Sequence, residues 1–115
     1  MEQTVDAILM EALDGILPTW NSVKEEEPET VQESYIVFNY STFGTGYADD
    51  DPTGDVYIVQ VHLFTPLSQS TTGFSRQIRS ALHEAGFTWP ETVNATDDKG
   101  RHLVFECQYV EGLDL

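Results

Sequence analysis

Basic residues are scarce in this chain: 5 Lys and Arg stand against 20 Asp and Glu among 115 residues, for a formal net charge of -15. Binding nucleic acid through its phosphates requires clustered Lys and Arg, so that class is not expected here. Cys107 is the only cysteine, which rules out an intrachain disulfide and a cysteine-based zinc cluster. No apolar run approaches the roughly 20 residues of a membrane span. The first residues, MEQTVDAILMEALDG, carry acids where a secretory leader would carry bases, which predicts synthesis in the cytosol. Gly-x-Ser-x-Gly, His-Glu-x-x-His and Cys-x-x-Cys are all missing. Gly44-Thr45-Gly46 is followed by neither a helix nor a lysine and has no phosphate-cradle context.

What is present is enough to fold. Hydrophobic residues make up 40% and aromatics 11%, values of a globular protein despite the charge, and the length suits one domain with a two-layer core. The organising stretch is residues 55–64, DVYIVQVHLF. Tyr57, Val59, Val61 and Leu63 fall on one side of an extended chain and Ile58, Gln60, His62 and Phe64 on the other, the period of a strand. One wholly apolar face and one mixed face predict a central strand whose second face is partly wet or meets another protein.

Residues 4–17 read as an amphipathic helix with Val5, Ile8, Leu9, Ala12, Leu13 and Ile16 on one side, stopped by Pro18. The following stretch, with Lys24 and the acids Glu25, Glu26, Glu27 and Glu29 around Pro28, has no period and reads as a solvated acidic linker. Residues 35–43, YIVFNYSTF, predict a strand with Ile36, Phe38 and Tyr40 on one face and Tyr35, Val37, Asn39 and Ser41 on the other. GTGYADDDPTGD then predicts a long hairpin loop. Pro66 ends the central strand. Ser70, Thr71 or Thr72 can cap a second helix with the apolar stripe Phe74, Ile78, Ala81, Leu82 and Ala85, closed by Gly86. Arg76, Arg79 and His83 share the opposite face of that helix. Pro90 marks an edge strand. After the turn Asp97-Asp98-Lys99-Gly100, residues 102–110 predict a last strand with Leu103, Phe105, Cys107 and Tyr109 facing the core. The expected fold is α+β, order α-β-β-α-β-β, a two-layer sandwich of a mostly antiparallel four-stranded sheet with both helices on one face.

Chemical motifs are thin. Asp49, Asp50, Asp51, Pro52, Thr53, Gly54 and Asp55 place acids, a hydroxyl and a glycine as in a calcium loop. The twelfth position is Gln60 instead of a bidentate Glu and no helix precedes, so a plain hairpin loop is the expectation. His62, Glu106 and Gln108 converge on the mixed face if their strands are neighbours, and a His-carboxylate pair can bind metal or shuttle protons, but two candidates do not make a site. Cys107 alternates with core residues and reads as a small buried side chain.

In element order and local wording the chain resembles the tail terminator and tail-completion, or head-tail joining, proteins of long-tailed bacteriophages. The likeness lies in the first helix ending at Pro18, the strand YIVFNYS, an acidic loop, the strand VYIVQVHLFT, a helix ending HEAGF, and RHLVFECQYVEG after the DDKG turn, and so covers nearly the whole chain. The resemblance implies a structural virion subunit, made in the host bacterial cytoplasm. It would assemble into a ring, commonly six-fold, at the end of the tail tube and join the tube protein to the head connector. It implies no catalysis, no cofactor, no membrane partner and no sequence-specific nucleic-acid binding.

A ring needs a heterologous interface, two different patches of one subunit. Arg76, Arg79 and His83 against Glu25, Glu26 and Glu27, or against Asp49, Asp50 and Asp51, would supply complementary charge; the plain alternative is a solvated helix face. Residues 44–54 are the first candidate for a segment that orders when a neighbour docks. An acidic lumen would also keep DNA from sticking to the wall. The competing class is an acidic DNA mimic that occupies the nucleic-acid site of a host protein.

Overall fold

A computed structural model describes the backbone of residues 4–21, 30–48 and 51–111, with side chains for residues 4–21, 30–42 and 56–109. Two helices and five strands follow in the order α1 (Val5–Asp14), β1 (Thr19–Asn21), β2 (Tyr35–Ala48), β3 (Asp51–Thr65), α2 (Thr72–Glu84), β4 (Glu91–Asn94) and β5 (Arg101–Glu111).

Each helix begins and ends where its local chemistry dictates. Thr4 caps α1, its hydroxyl accepting from the Ala7 amide at 3.2 Å, and Gly15 closes it ahead of Pro18. Val5, Leu9 and Leu13, spaced by four, are its buried row. At the start of α2 the Thr71 side chain makes no cap bond; the Ser70 hydroxyl accepts from the Thr72 amide instead, at 3.3 Å. Ile78 and Leu82 are buried from α2, and the chain reverses at Gly86 with φ 101, where a side chain would be strained.

The sheet order is β1-β2-β3-β5-β4, so the central strand is β3. The class is α+β as the pattern indicates, but the expected four-stranded antiparallel sheet is corrected to a five-stranded mixed one. The extra strand, β1, runs parallel to β2, with Thr19 opposite Ile36 and Asn21 opposite Phe38, and the Ile36 amide donates to Pro18 O at 2.9 Å. Three residues are too few to show a period of two, and their pairing is made by backbone, which carries no side-chain pattern.

The long hairpin loop is a second correction. The β2–β3 ladder continues through Gly44 opposite Asp55, Thr45 opposite Gly54, Tyr47 opposite Pro52 and Ala48 opposite Asp51. Glycine and proline argued for a turn there, but in a two-stranded extension most of these residues still find a cross-strand partner, and that pairing overrides composition. Residues 44–48 and 51–54 are therefore strand rather than a loop awaiting a partner. Asp49 and Asp50 lie outside the described residues.

Both helices cover one sheet face. Ile36, Phe38, Val59, Val61, Leu63, Phe105 and Cys107 meet Val5, Leu9, Leu13, Ile78 and Leu82 in the main core. On the other face Val31, Tyr35 and Val37 form a smaller cluster with Trp20 and Phe64 packed against it. Val31 is fixed there by its amide, which donates to Lys99 O at 2.8 Å, and by Gly100: a Cβ at Gly100 would lie 2.7 Å from Val31 Cγ2 and 2.9 Å from Thr65 O. Gly100→Ala is therefore expected to lose about 1–3 kcal/mol through overpacking. Gly73→Ala, with nothing within 4 Å of the added carbon on α2, is expected to gain about 0.4–1 kcal/mol. Urea unfolding of the two variants beside the wild type measures both signs.

Candidate functional site

Two surfaces carry chemistry. The first is the face of the sheet away from the helices. Register puts Tyr35, Phe64 and His102 in one cross-strand row, Val37, His62, Val104 and Val93 in the next, and Asn39, Gln60, Glu106 and Glu91 in a third. Along the first row the rings stack: Tyr35 on Phe64 at 4.9 Å and Phe64 on His102 at 4.3 Å, with Trp20 edge-on to Tyr35 at 5.9 Å.

His62 reaches diagonally into that row, its Nδ1 2.8 Å from His102 Nε2, while its Nε2 lies 3.3 Å from Asn39 Nδ2. One chain of donors satisfies both contacts. Asn39 donates to His62 Nε2, and His62 Nδ1–H donates to His102 Nε2. Each ring is then neutral, and protonating both would place two donors face to face. Burial, and for His62 the neighbouring His102, hold the pKa of His62 below its ordinary value. Burial likewise lowers His102, opposed by the Asp97 carboxylate.

His62 does not meet Glu106 or Gln108 as a pair. Glu106 sits across from Gln60, and Gln108 across from Ile58, so neither shares a row with His62. The partner that sequence reading missed is His102, which the β3–β5 register places across from Phe64 and diagonal to His62. Among the described residues no group of three or more His, Cys, Asp and Glu is placed to hold a metal ion. Cys107 is buried, and burial pushes its thiol up to about 12, the state of a packed side chain and not of a nucleophile. The calcium-loop pattern gains no support, because residues 51–55 are strand and not a coordinating loop.

The second surface lies on α2. Arg76 and His83 are exposed on the helix face away from Ile78 and Leu82, and half-buried Arg79 lies on the flank between that face and the buried row. Trp89, 54% exposed, stands against them: its ring is 5.3 Å from His83, edge to face, and 5.9 Å from the Arg79 guanidinium carbon. Arg79 Nε donates back to Ser75 O at 3.4 Å. Arg76 and Arg79 make no ion pair with another described residue. Sequence reading found the cations but missed Trp89, whose approach to α2 depends on the turn at Gly86. Of the acids expected to face this stripe, Glu25, Glu26, Glu27, Asp49 and Asp50 lie outside the described residues, and Asp51 opens β3.

The histidine pair makes stability pH-dependent with a fixed sign. With both pKa values below the unfolded value of about 6.5, the native state binds fewer protons than the unfolded chain in the window beneath it. Stability contributed by the neutral rings is whole above about pH 6.5 and is lost as pH falls through the lowered native values. A His62→Gln, His102→Gln double variant is expected to keep its urea midpoint better than the wild type between about pH 7.5 and 5.5. Parallel slopes for the two proteins would rule the effect out.

No family model and no curated protein match the chain. One solved structure, whose name carries no functional description, is similar over 96% of this chain and 95% of its own, with a TM-score of 0.63 and 13% identity. Likeness at that identity extends to the fold alone.

Proposed function

We propose that this chain is a structural virion protein of a phage or prophage, a tail terminator or tail-completion component that forms a ring at the end of the tail tube and joins it to the head connector. The reading rests on the wording of the sequence from the first helix to RHLVFECQYVEG, and one observation carries it beyond the sequence. An acidic protein keeps a cationic, aromatic-bearing helix face in the open, with Arg76 and Arg79 unneutralised by any described residue. Such a face complements the acidic remainder of the same molecule, and two unlike patches on one subunit are what a closed cyclic assembly uses.

In this reading the reaction is assembly and nothing is catalysed. The acid excess lines the passage or faces solvent, and repels DNA phosphate from the wall. The expected native state is a ring of about six subunits, set by closure of a heterologous contact, measured as molar mass by light scattering across a concentration series and seen directly by electron microscopy. Added to purified tail tubes, the protein should sit at one end of each tube. A strict monomer that leaves tubes unbound and competes with duplex DNA for a DNA-binding protein would overturn the reading in favour of an acidic mimic.

A further inference from the structure

We infer that the contact between copies is made by Arg76 of one copy entering the cleft between α1 and α2 of the next, where Glu11 and Glu84 receive its guanidinium. This rests on the ring reading and adds to it which groups meet.

The cleft follows from the residues that the two helices turn toward each other. They are small: Ala12 on α1, and Ala81 and Ala85 along α2 and at its end, all half-buried. Short side chains leave the groove between two helices unfilled, and a space of about 480 Å³ remains, with the half-buried Tyr109 of β5 beneath it. That volume lies within the range of about 300–1,000 Å³ that holds a bound group. Glu11 and Glu84, both exposed, stand at its rim, and no described cation lines it.

An apolar wall below two carboxylates selects a side chain with an apolar stem and a cationic head. Arginine suits such a site better than lysine: its planar fork bonds two carboxylate oxygens at once, and its flat face packs on a ring such as that of Tyr109. The chain has three arginines. Arg101 Nε donates to Leu67 O at 3.0 Å, and Arg79 is engaged with Ser75 O and the Trp89 ring. Arg76 is exposed, and its head bonds to no other described residue.

The opposite end of the basic stripe is not the end that enters. Glu91 and Glu106 line a groove together with Trp89, and Glu11 and Glu84 would repel their carboxylates. Arg76 precedes His83, which touches Trp89, by two helical turns, about 10 Å along the axis.

Arg76 does not turn back into its own cleft. Glu84 follows it by eight residues, a rise of about 12 Å, and Ala81 lies about 140° around the helix from it, farther than one arginine side chain reaches. The contact is therefore made in trans. It joins two unlike parts of neighbouring copies, the head-to-tail arrangement that closes a ring.

The test is a charge exchange in the full-length protein, with molar mass read by light scattering and rings seen by electron microscopy. Arg76→Glu, and separately Glu11→Lys with Glu84→Lys, should each weaken self-association about tenfold or more at an unchanged melting temperature. The acid replacements are compatible with folding, because a cation at position 84 suits the C-terminal end of α2 and one at position 11 stands three residues before Asp14. Mixing the two variants should restore assembly, since each head then finds a cleft of opposite charge, and so should all three substitutions in one chain.

Rings formed by either variant alone as readily as by the wild type, or no recovery on mixing, would overturn this assignment and leave the ring reading standing. Wild-type copies that join only into open chains, lost in each variant and regained on mixing, would support the site and overturn the ring. A wild type that stays monomeric at every concentration and on tail tubes would overturn both.

Discussion

The contact on which the rest of the structure depends is the burial of one face of β3 beneath two helices. Val59, Val61 and Leu63 are fully buried and lie in register with Phe38 and Ile36 on one side and with Phe105 and Cys107 on the other. Leu9, Leu13, Ile78 and Leu82 close over them. Burial of a side chain of this size contributes about 1.5–3 kcal/mol, and no disulfide shares the task, so packing alone sets the sheet register. Because that register is fixed, every residue on the far face is fixed with it. His62 meets His102 only because Val61 and Phe105 are paired beneath them.

The two faces of the sheet answer to different constraints. On the helix side the Tyr40 hydroxyl, bonded to the Asp6 carboxylate, is raised to about 12 by that bond first and by burial second, while Asp6 Oδ1 is buried with no partner among the described residues. Among the described residues the far side is covered at one end, by Val31 and the ring stack of Trp20, Tyr35 and Phe64. Its polar row of Asn39, Gln60, Glu106 and Glu91 keeps solvent, which suits an antiparallel sheet with one face open. The cations Arg76 and Arg79 stand on α2, outside the core, beside the one exposed indole.

Where side chains alternate or recur with a helical period, the elements were legible in the sequence. Both helices, the apolar face of β3, the core row Leu103, Phe105, Cys107 and Tyr109, and the edge position of β4 behind Pro90 all follow from that signal. Where pairing is made by backbone it was not. Thr19–Asn21 joins the sheet in parallel without a pattern of its own, and the β2–β3 ladder runs on through Gly44, Thr45, Gly54 and Pro52, residues that read as a turn. The surface sites divide likewise. A helical wheel finds Arg76, Arg79 and His83. No one-dimensional rule finds Trp89 or His102: Trp89 comes to α2 through the turn at Gly86, and His102 comes to His62 through the pairing of β5 with a strand some forty residues earlier.

The strands of this sheet end at different heights. β1 accompanies β2 only from Ile36 to Phe38, β5 accompanies β3 to Asp55, and beyond that point β2 and β3 have only each other among the described strands. Opening the tip of the hairpin breaks one ladder, whereas opening its root breaks several ladders and a core. Local unfolding must therefore begin at the tip and rise in cost in steps toward Tyr35 and Phe64. Amide hydrogen exchange along β2 and β3 would fall in a staircase whose treads are the ends of the neighbouring strands. One hairpin thus holds a root tied into the core and, over Gly44 to Ala48 and Asp51 to Gly54, a ladder that rests on its own two strands among the described residues.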